Sequence, residues 1–354
     1  MLDKHLKIIA GPCSVETPDQ VHEVAKRLQG IDLYAFRAGI WKPRTQPGAF
    51  EGAREQGLLW LKEACDAYGF SPLTEVANSA HVEAVLKAGF TKVWIGARST
   101  SNPFSVQEIA DALRGTNLTV LIKNPTNPDL KLWVGGIERV YKAGINEVIA
   151  IHRGFSTYDK QQYRNLPNWQ IPIALRQAFP NIELLCDPSH ITGKAEHVPT
   201  VAQMAVDLKF DGLMVEVHTD PSNAWTDAAQ QITPEAFRAL LMGLKYRSRA
   251  ELDREELRGL RAELSVLDEQ LIRILARRMA ISEEIGHYKN THNVAIFQTS
   301  QWEDSLNKFL QMADEMDVSL DFAKELFTLI HQESIETQSK ILSSRYNDDT
   351  SSAG

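Results

Sequence analysis

Four side chains far apart in the sequence, Cys13, His190, Glu216 and Asp227, offer a thiol, an imidazole and two carboxylates. Such a mixed set does not resemble an all-thiolate structural zinc site. It suits a catalytic divalent cation that keeps an open position, and Mn2+ is the ion the set favours. A buried Cys or His is more often core packing, and Cys65 and Cys186 take that reading. Cys13 differs, because it follows Gly11-Pro12 just past an apolar run. A second group is cationic. Lys42-Pro43-Arg44-Thr45 places two cations and a hydroxyl on a loop stiffened by proline. That trio suits a phosphate, with Arg44 giving directional donors and Lys42 a point charge. Alone, the segment reads equally well as a solvated turn. Arg98, Lys123 and Arg153 favour the anion, since several cations drawn to one mouth need anions to offset their desolvation.

These residues share a phase along the chain. KIIAGPC ends at Cys13, YAFRAGI carries Arg37, PLTEV carries Glu75 and VWIGAR ends at Arg98. VLIK ends at Lys123, VIAIHR at Arg153, ELLCDPSH runs to His190 and LMVEVH carries Glu216. Each run predicts a strand, near 6–13, 33–40, 70–76, 92–97, 119–124, 147–153, 183–189 and 212–218. Helix-period stretches such as VHEVAKRL and LLWLKEACDAY fill the gaps, and a last helix opens at Thr233-Pro234-Glu235 and ends near Arg247. Strand then helix, eight times over, predicts an α/β fold, a (β/α)8 TIM barrel over residues 1–247, with all these side chains converging on one mouth.

A linker at 248–255 follows, and then the period changes. Leu257, Leu260, Leu264, Leu267, Leu271, Ile274 and Leu275 mark one helix stripe running to about Lys289, with further helical stretches at roughly 300–315 and 320–342. This predicts an all-α domain over 256–343 and a disordered polar tail over 344–354. On the long helix Arg278 and Lys289 are eleven residues apart and nearly share a face, a span that fits a dicarboxylate. Arg261 lies seventeen residues before Arg278 on another face, so only an antiparallel partner helix could bring it to the same pocket, which implies a dimer. The alternative is that these cations are ordinary solvated helix residues.

Composition excludes other classes. Residues 1–252 hold 27 basic and 27 acidic residues, and 253–343 hold 10 and 17, so neither part is basic and nucleic acid is a poor partner. No apolar run approaches the ~20 residues of a membrane span. The acidic and basic N-terminus argues against a secretory signal, and three widely spaced cysteines argue against a disulfide framework, so a cytoplasmic location is expected.

Two resemblances complete the reading. GPCSVE, FRAGIWKPRT, TEV, IGAR, HRG, DPSH and VEVH, in this order, resemble 3-deoxy-D-arabino-heptulosonate 7-phosphate (DAHP) synthase of the short type I-beta group. That resemblance implies condensation of phosphoenolpyruvate with erythrose 4-phosphate. It implies that Arg37, Lys42, Arg98, Lys123 and Arg153, with Glu75 alongside, bind phosphoenolpyruvate, and that Arg44 and Thr45 hold the aldehyde's phosphate. Cys13, His190, Glu216 and Asp227 would ligate the metal, with Lys42, Lys123 and His190 in the catalytic set. After the fifth strand the chain reads KNPTNPD, where many relatives carry a Lys-Arg-Gly type segment. The alternative is 3-deoxy-D-manno-octulosonate 8-phosphate synthase, acting on arabinose 5-phosphate, joined to a non-catalytic, ligand-sensing and dimerising helical domain. The Pro-Arg-Thr of residues 43–45 favours the four-carbon aldehyde.

LRAELSVLDEQLIRILARRMAISEEIGHYK and LFTLIHQESIETQ resemble the first and last helices of an all-helical (AroQ-type) chorismate mutase. The resemblance implies rearrangement of chorismate to prephenate in a pocket of Arg278, Lys289, Ser334 and Gln338, with Arg261 from a second chain and Lys289 and Gln338 stabilising the breaking ether oxygen. The chain departs from a familiar pattern of Asp, Arg and Glu by carrying Gln298, Gln301 and Trp302, of which Gln298 could still bond the substrate hydroxyl. A homodimer or higher oligomer is expected. With only a few residues before the first strand, the helical domain is also the expected sensor for feedback inhibition by prephenate.

Overall fold

Every apolar run marked as a strand is one. In a computed structural model of the chain, β1 (Lys7–Gly11), β2 (Ala35–Arg37), β3 (Pro72–Val76), β4 (Lys92–Ile95), β5 (Thr119–Lys123), β6 (Val148–His152), β7 (Glu183–Cys186) and β8 (Gly212–Glu216) form a closed parallel barrel. β8 pairs back onto β1, with Gly11 opposite Glu216. The structure describes residues 6–42, 48, 50–157, 162–246, 255–297 and 299–351. The chain divides into two units, residues 1–248 and 249–354.

Strand period explains where the chemistry lands. Ile9, Ala35, Leu73, Trp94, Leu121, Ile151, Leu185 and Met214 belong to one buried cluster, the filling of the barrel. Side chains two residues further along a strand point to the same side, one layer nearer the C-terminal mouth. Those positions are Gly11, Arg37, Glu75, Gly96, Lys123, Arg153, Asp187 and Glu216. Six carry charge, and the two glycines make room for neighbours. A Cβ on Gly96 would lie 2.1 Å from Glu75 Oε1, and one on Gly11 would lie 2.1 Å from Arg37 O. The other strand faces, with the surrounding helices, make the larger outer core. Cys65, in the helix Arg54–Tyr68, and Cys186, in β7, are buried there as packing residues. The last barrel helix stops at Gly243, earlier than the expected end near Arg247, at a residue that favours helix termination over helix interior.

The described residues of the second unit form three helices, Glu255–His292, Thr299–Glu315 and Leu320–Ser351. The first has 38 residues, about 57 Å at 1.5 Å per residue. The first and third approach closely at Gly286, where a Cβ would meet Ile341 Cδ1 at 2.8 Å and Gln338 Cα at 3.2 Å. The third helix continues to Ser351, past residue 344 where the polar tail was expected to lose structure; no Pro or Gly interrupts the chain there to end it. Among the described residues, no helix is long and apolar enough to cross a membrane.

Candidate active sites

At the barrel mouth Cys13, just beyond β1, Glu216 at the end of β8 and Asp227 in the loop after β8 bring their donor atoms within 4.8 Å of one another. His190 joins them. It sits on the one-turn helix Pro188–Thr192, whose N-cap Asp187 accepts from His190 N–H. His190 Nε2 is 3.7 Å from Glu216 Oε1, and its Nδ1 is 2.8 Å from Asp187 Oδ2. A carboxylate behind an imidazole fixes which nitrogen faces a metal. The donor set fits a divalent cation on two further observations. Glu216 Oε1 is buried without a hydrogen bond, 3.1 Å from Arg37 Nη2. Burial, and then the Glu216 carboxylate, push the Cys13 thiol up to about 12, so it ionises near neutral pH only against added positive charge.

The cations occupy the adjoining space. Lys42 Nζ is 3.0 Å from Cys13 Sγ and 3.2 Å from Cys13 O. Lys123 Nζ donates to Asp187 Oδ2 at 2.7 Å; burial lowers this ammonium's pKa, and the Asp187 carboxylate opposes that. Asp187 is itself held well below the usual carboxylate range against its burial, by His190 and Lys123. Glu75 Oε2 accepts from Trp94 Nε1 at 3.0 Å. Lys42, Glu75, Arg98, Lys123, Arg153, His190 and Asp227 line one cavity of about 230 Å³. Arg37 is not among its lining residues: it is 1% exposed, with its guanidinium carbon 4.8 Å from the Trp94 ring centroid. Arg44 and Thr45, expected on the aldehyde's phosphate, lie outside the described residues.

The structure adds residues that sequence reasoning missed. Asp187 carried a detectable signal, since Asp-Pro followed by Ser-His is an N-cap and first turn that presents the histidine. Arg164, Asn165, Gln230 and Gln231 carried none, because they lie outside the strands and α-helices, in segments with no periodic pattern.

In the helical unit Arg278, Lys289, Ser334 and Gln338 line one pocket of about 370 Å³, together with Gln301, Trp302, Phe327 and His331. Arg278 Nη1 donates to Ser334 Oγ at 2.5 Å, and Lys289 Nζ to Ile296 O at 2.5 Å. Gln338 Oε1 is buried without a partner. The His331 ring lies against Trp302, centroids 3.9 Å apart and planes tilted by 33°, and burial, then Arg278 and Lys289, lower its pKa. No carboxylate is among the described lining residues, so the pocket is suited to an anion. Trp302 and Gln301 fill the wall where the familiar pattern has charge; Gln298 lies outside the described residues. Arg261, on the same helix as Arg278, does not reach this pocket.

Residues 2–250 match a family described as the DAHP synthetase I family. The chain belongs to that family. Residues 260–339 match chorismate mutase type II. The chain therefore joins a DAHP synthase and a chorismate mutase in one bifunctional enzyme. The phospho-2-dehydro-3-deoxyheptonate aldolase of Thermotoga maritima is 31% identical over 241 residues, covering 68% of this chain and 69% of that protein. A crystal structure of the Thermotoga maritima DAHP synthase superposes with a TM-score of 0.61 at 30% identity, over 68% of each chain. The 2-dehydro-3-deoxyphosphooctonate aldolase of Helicobacter acinonychis is 26% identical, over 67% of this chain and 93% of that protein.

Proposed function

We propose that the barrel of this DAHP synthase condenses phosphoenolpyruvate with erythrose 4-phosphate. The observation that carries the reading is one cavity lined by Lys42, Arg98, Lys123 and Arg153 beside the Cys13, His190, Glu216 and Asp227 donors. The cations offset the phosphate and carboxylate of phosphoenolpyruvate and fix its plane, and Arg44 and Thr45 hold the aldehyde's phosphate. Held this way, C3 of phosphoenolpyruvate attacks the aldehyde carbon, water adds at C2, and phosphate leaves. A divalent ion on the four donors, Mn2+ in our reading, supplies Lewis acidity at the aldehyde carbonyl. Lys42, next to Cys13, keeps its charge: burial lowers its pKa, but Cys13, Glu216 and Glu75 outweigh that, so an ammonium is positioned beside the developing alkoxide.

The helical unit rearranges chorismate to prephenate. Arg278 and Lys289 take the substrate's carboxylates, and Lys289 and the Gln338 side-chain amide N–H stabilise charge on the breaking ether oxygen. Arg261 of the partner subunit completes the pocket, so the unit acts as a homodimer or within a higher homo-oligomer. Prephenate bound near Arg278 and Lys289 inhibits DAHP formation by favouring a restricted state; about 1.4 kcal/mol of differential binding shifts that equilibrium tenfold. Three buried, free cysteines suit a reducing compartment, and we place the enzyme in the cytoplasm.

One assay of DAHP formation tests substrate and feedback together. We expect kcat/KM for erythrose 4-phosphate to exceed that for arabinose 5-phosphate at least tenfold, and prephenate inhibition to vanish in Arg278→Ala. A reversed preference moves the barrel to the octulosonate reaction; inhibition that survives Arg278→Ala places the sensor elsewhere.

A further inference from the structure

One arginine outside the expected substrate and metal sets lies where those two groups meet. Arg164 follows β6, and its backbone N–H donates to Thr192 O at 3.1 Å while that of Asn165 donates to Ile191 O at 3.0 Å. These bonds tie the dipeptide to the turn that carries His190. The arginine stem passes over Gly193, at φ +66°, where a Cβ would lie 2.5 Å from Arg164 Cβ. From there a single nitrogen, Arg164 Nη1, donates to Asp227 Oδ1 at 3.1 Å and to Gln230 Oε1 at 2.9 Å. Gln230 is 1% exposed and passes the constraint on, donating from Nε2 to Glu216 Oε2 at 2.6 Å.

The pattern of oxygens gives these bonds meaning. Asp227 has Oδ1 tied back to Arg164, which leaves Oδ2 facing Cys13 Sγ at 3.3 Å. Glu216 has Oε2 tied back to Gln230, which leaves Oε1 between Arg37 Nη2 at 3.1 Å and His190 Nε2 at 3.7 Å. Each carboxylate is thus held by one oxygen and presents the other to the same point. Asp227 needs such a hold, because its backbone is in the left-handed region at φ 45° and ψ 39°, which disfavours a residue with a side chain. The neighbouring Asn165 links the metal set to the substrate cations: its Nδ2 donates to His190 O at 2.6 Å and its Oδ1 accepts from Arg153 Nη1 at 2.9 Å.

We propose that Arg164 is a positioning residue for the metal centre, fixing Asp227 directly and Glu216 through Gln230 so that both present one oxygen to the ion. The proposal rests on the reading that Cys13, His190, Glu216 and Asp227 hold a divalent cation. Two effects of Arg164 oppose each other. Its positive charge repels a cation, but the side chain is 49% exposed and screened by water, so this costs only a few-fold in affinity. Orientation of ligands by their outer contacts is worth about 10–100-fold in metal affinity. Orientation wins, and Arg164 strengthens binding despite its charge.

The test is Mn2+ titration of the metal-free full-length protein, followed by electron paramagnetic resonance of the free ion. Arg164→Ala is expected to weaken Mn2+ binding about 10–100-fold, and Arg164→Lys to recover part of that loss. Gln230→Ala should weaken it by less, and the double variant should fall short of the product of the two, because they share one path. At saturating Mn2+, Arg164→Ala should regain most of its kcat and keep the wild-type KM for both substrates, which a substrate-binding role would not allow. The circular dichroism and melting transition of the barrel in each variant report that it is folded, and Arg164→Lys keeps the test open if alanine is not tolerated. Mn2+ affinity of Arg164→Ala equal to or tighter than wild type overturns the proposal while leaving the metal site intact. A wild-type chain that binds no Mn2+ overturns the metal reading itself, and the proposal with it.

Discussion

At the barrel mouth, reactive groups from different strand ends lean on one another within one chain: Arg37 against Glu216, Lys123 against Asp187, Asn165 between Arg153 and His190. In the helical pocket, Arg278 reaches Ser334 and Lys289 reaches a backbone carbonyl. The same long helix leaves Leu260, Leu264, Leu267, Leu271 and Ile274 between 48% and 64% exposed. A closed barrel satisfies its charges by geometry internal to the chain. An amphipathic helix pair cannot cover its second apolar face alone, and a contiguous exposed stripe of this size marks an association surface. In the function proposed above, the barrel site draws on one copy and the helical site takes Arg261 from a second.

The strongest way to break that contrast is to separate the helical site's halves. Arg278→Ala and Arg261→Ala should each lower mutase kcat/KM by about 100-fold or more, since each leaves a bound carboxylate without its charged donor. Heterodimers of the two variants should regain activity, because one of two shared pockets then has both arginines. The matching experiment on the barrel, mixing Cys13→Ala with Arg153→Ala, should restore nothing. Activity measurements on verified mixed oligomers decide both.

A smaller effect concerns stability and sharpens the contrast. His152 packs among Phe155, Trp169 and Phe210 behind β6, and burial lowers its pKa to about 3. In the unfolded chain it titrates near 6.5, so between about pH 3 and 6.5 the unfolded state binds the extra proton and stability rises with pH. The contribution is complete above 6.5 and is lost on acidification by about 1.4 kcal/mol per unit. His152→Phe should thus remove about 2 kcal/mol of the stability difference between pH 7 and pH 5 in the barrel's melting transition. Thermal melts at the two pH values check this; an unchanged difference would show that another group governs the acid response.

How much of this was legible in the sequence follows from the same geometry. Strand period two put Arg37, Glu75, Lys123, Arg153 and Glu216 in one layer, and the ends of apolar runs marked them. Trp94 and the glycines at 11 and 96 belong to the same pattern, but their effect is steric and shows only when neighbouring strands are in register. Arg164 and Gln230 were illegible because their function lies in who touches whom across 66 residues of chain. In the helical unit, spacing alone separated Arg278 and Lys289 from Arg261. His331 escaped notice because a histidine on a helix reads as surface until its contact with the Trp302 ring is seen.

In the function proposed above, one chain holds two chemically independent sites, one dependent on a divalent ion and one not. It is tested most directly by assaying DAHP formation and chorismate rearrangement in the same sample before and after chelation, with Cys13→Ala alongside. The account predicts loss of DAHP formation by about 1,000-fold or more on chelation, restored by Mn2+ in the wild type and not in Cys13→Ala, while the mutase rate is unchanged throughout. DAHP synthesis that persists in metal-free Cys13→Ala, or a mutase rate that falls with the chelator, would contradict it.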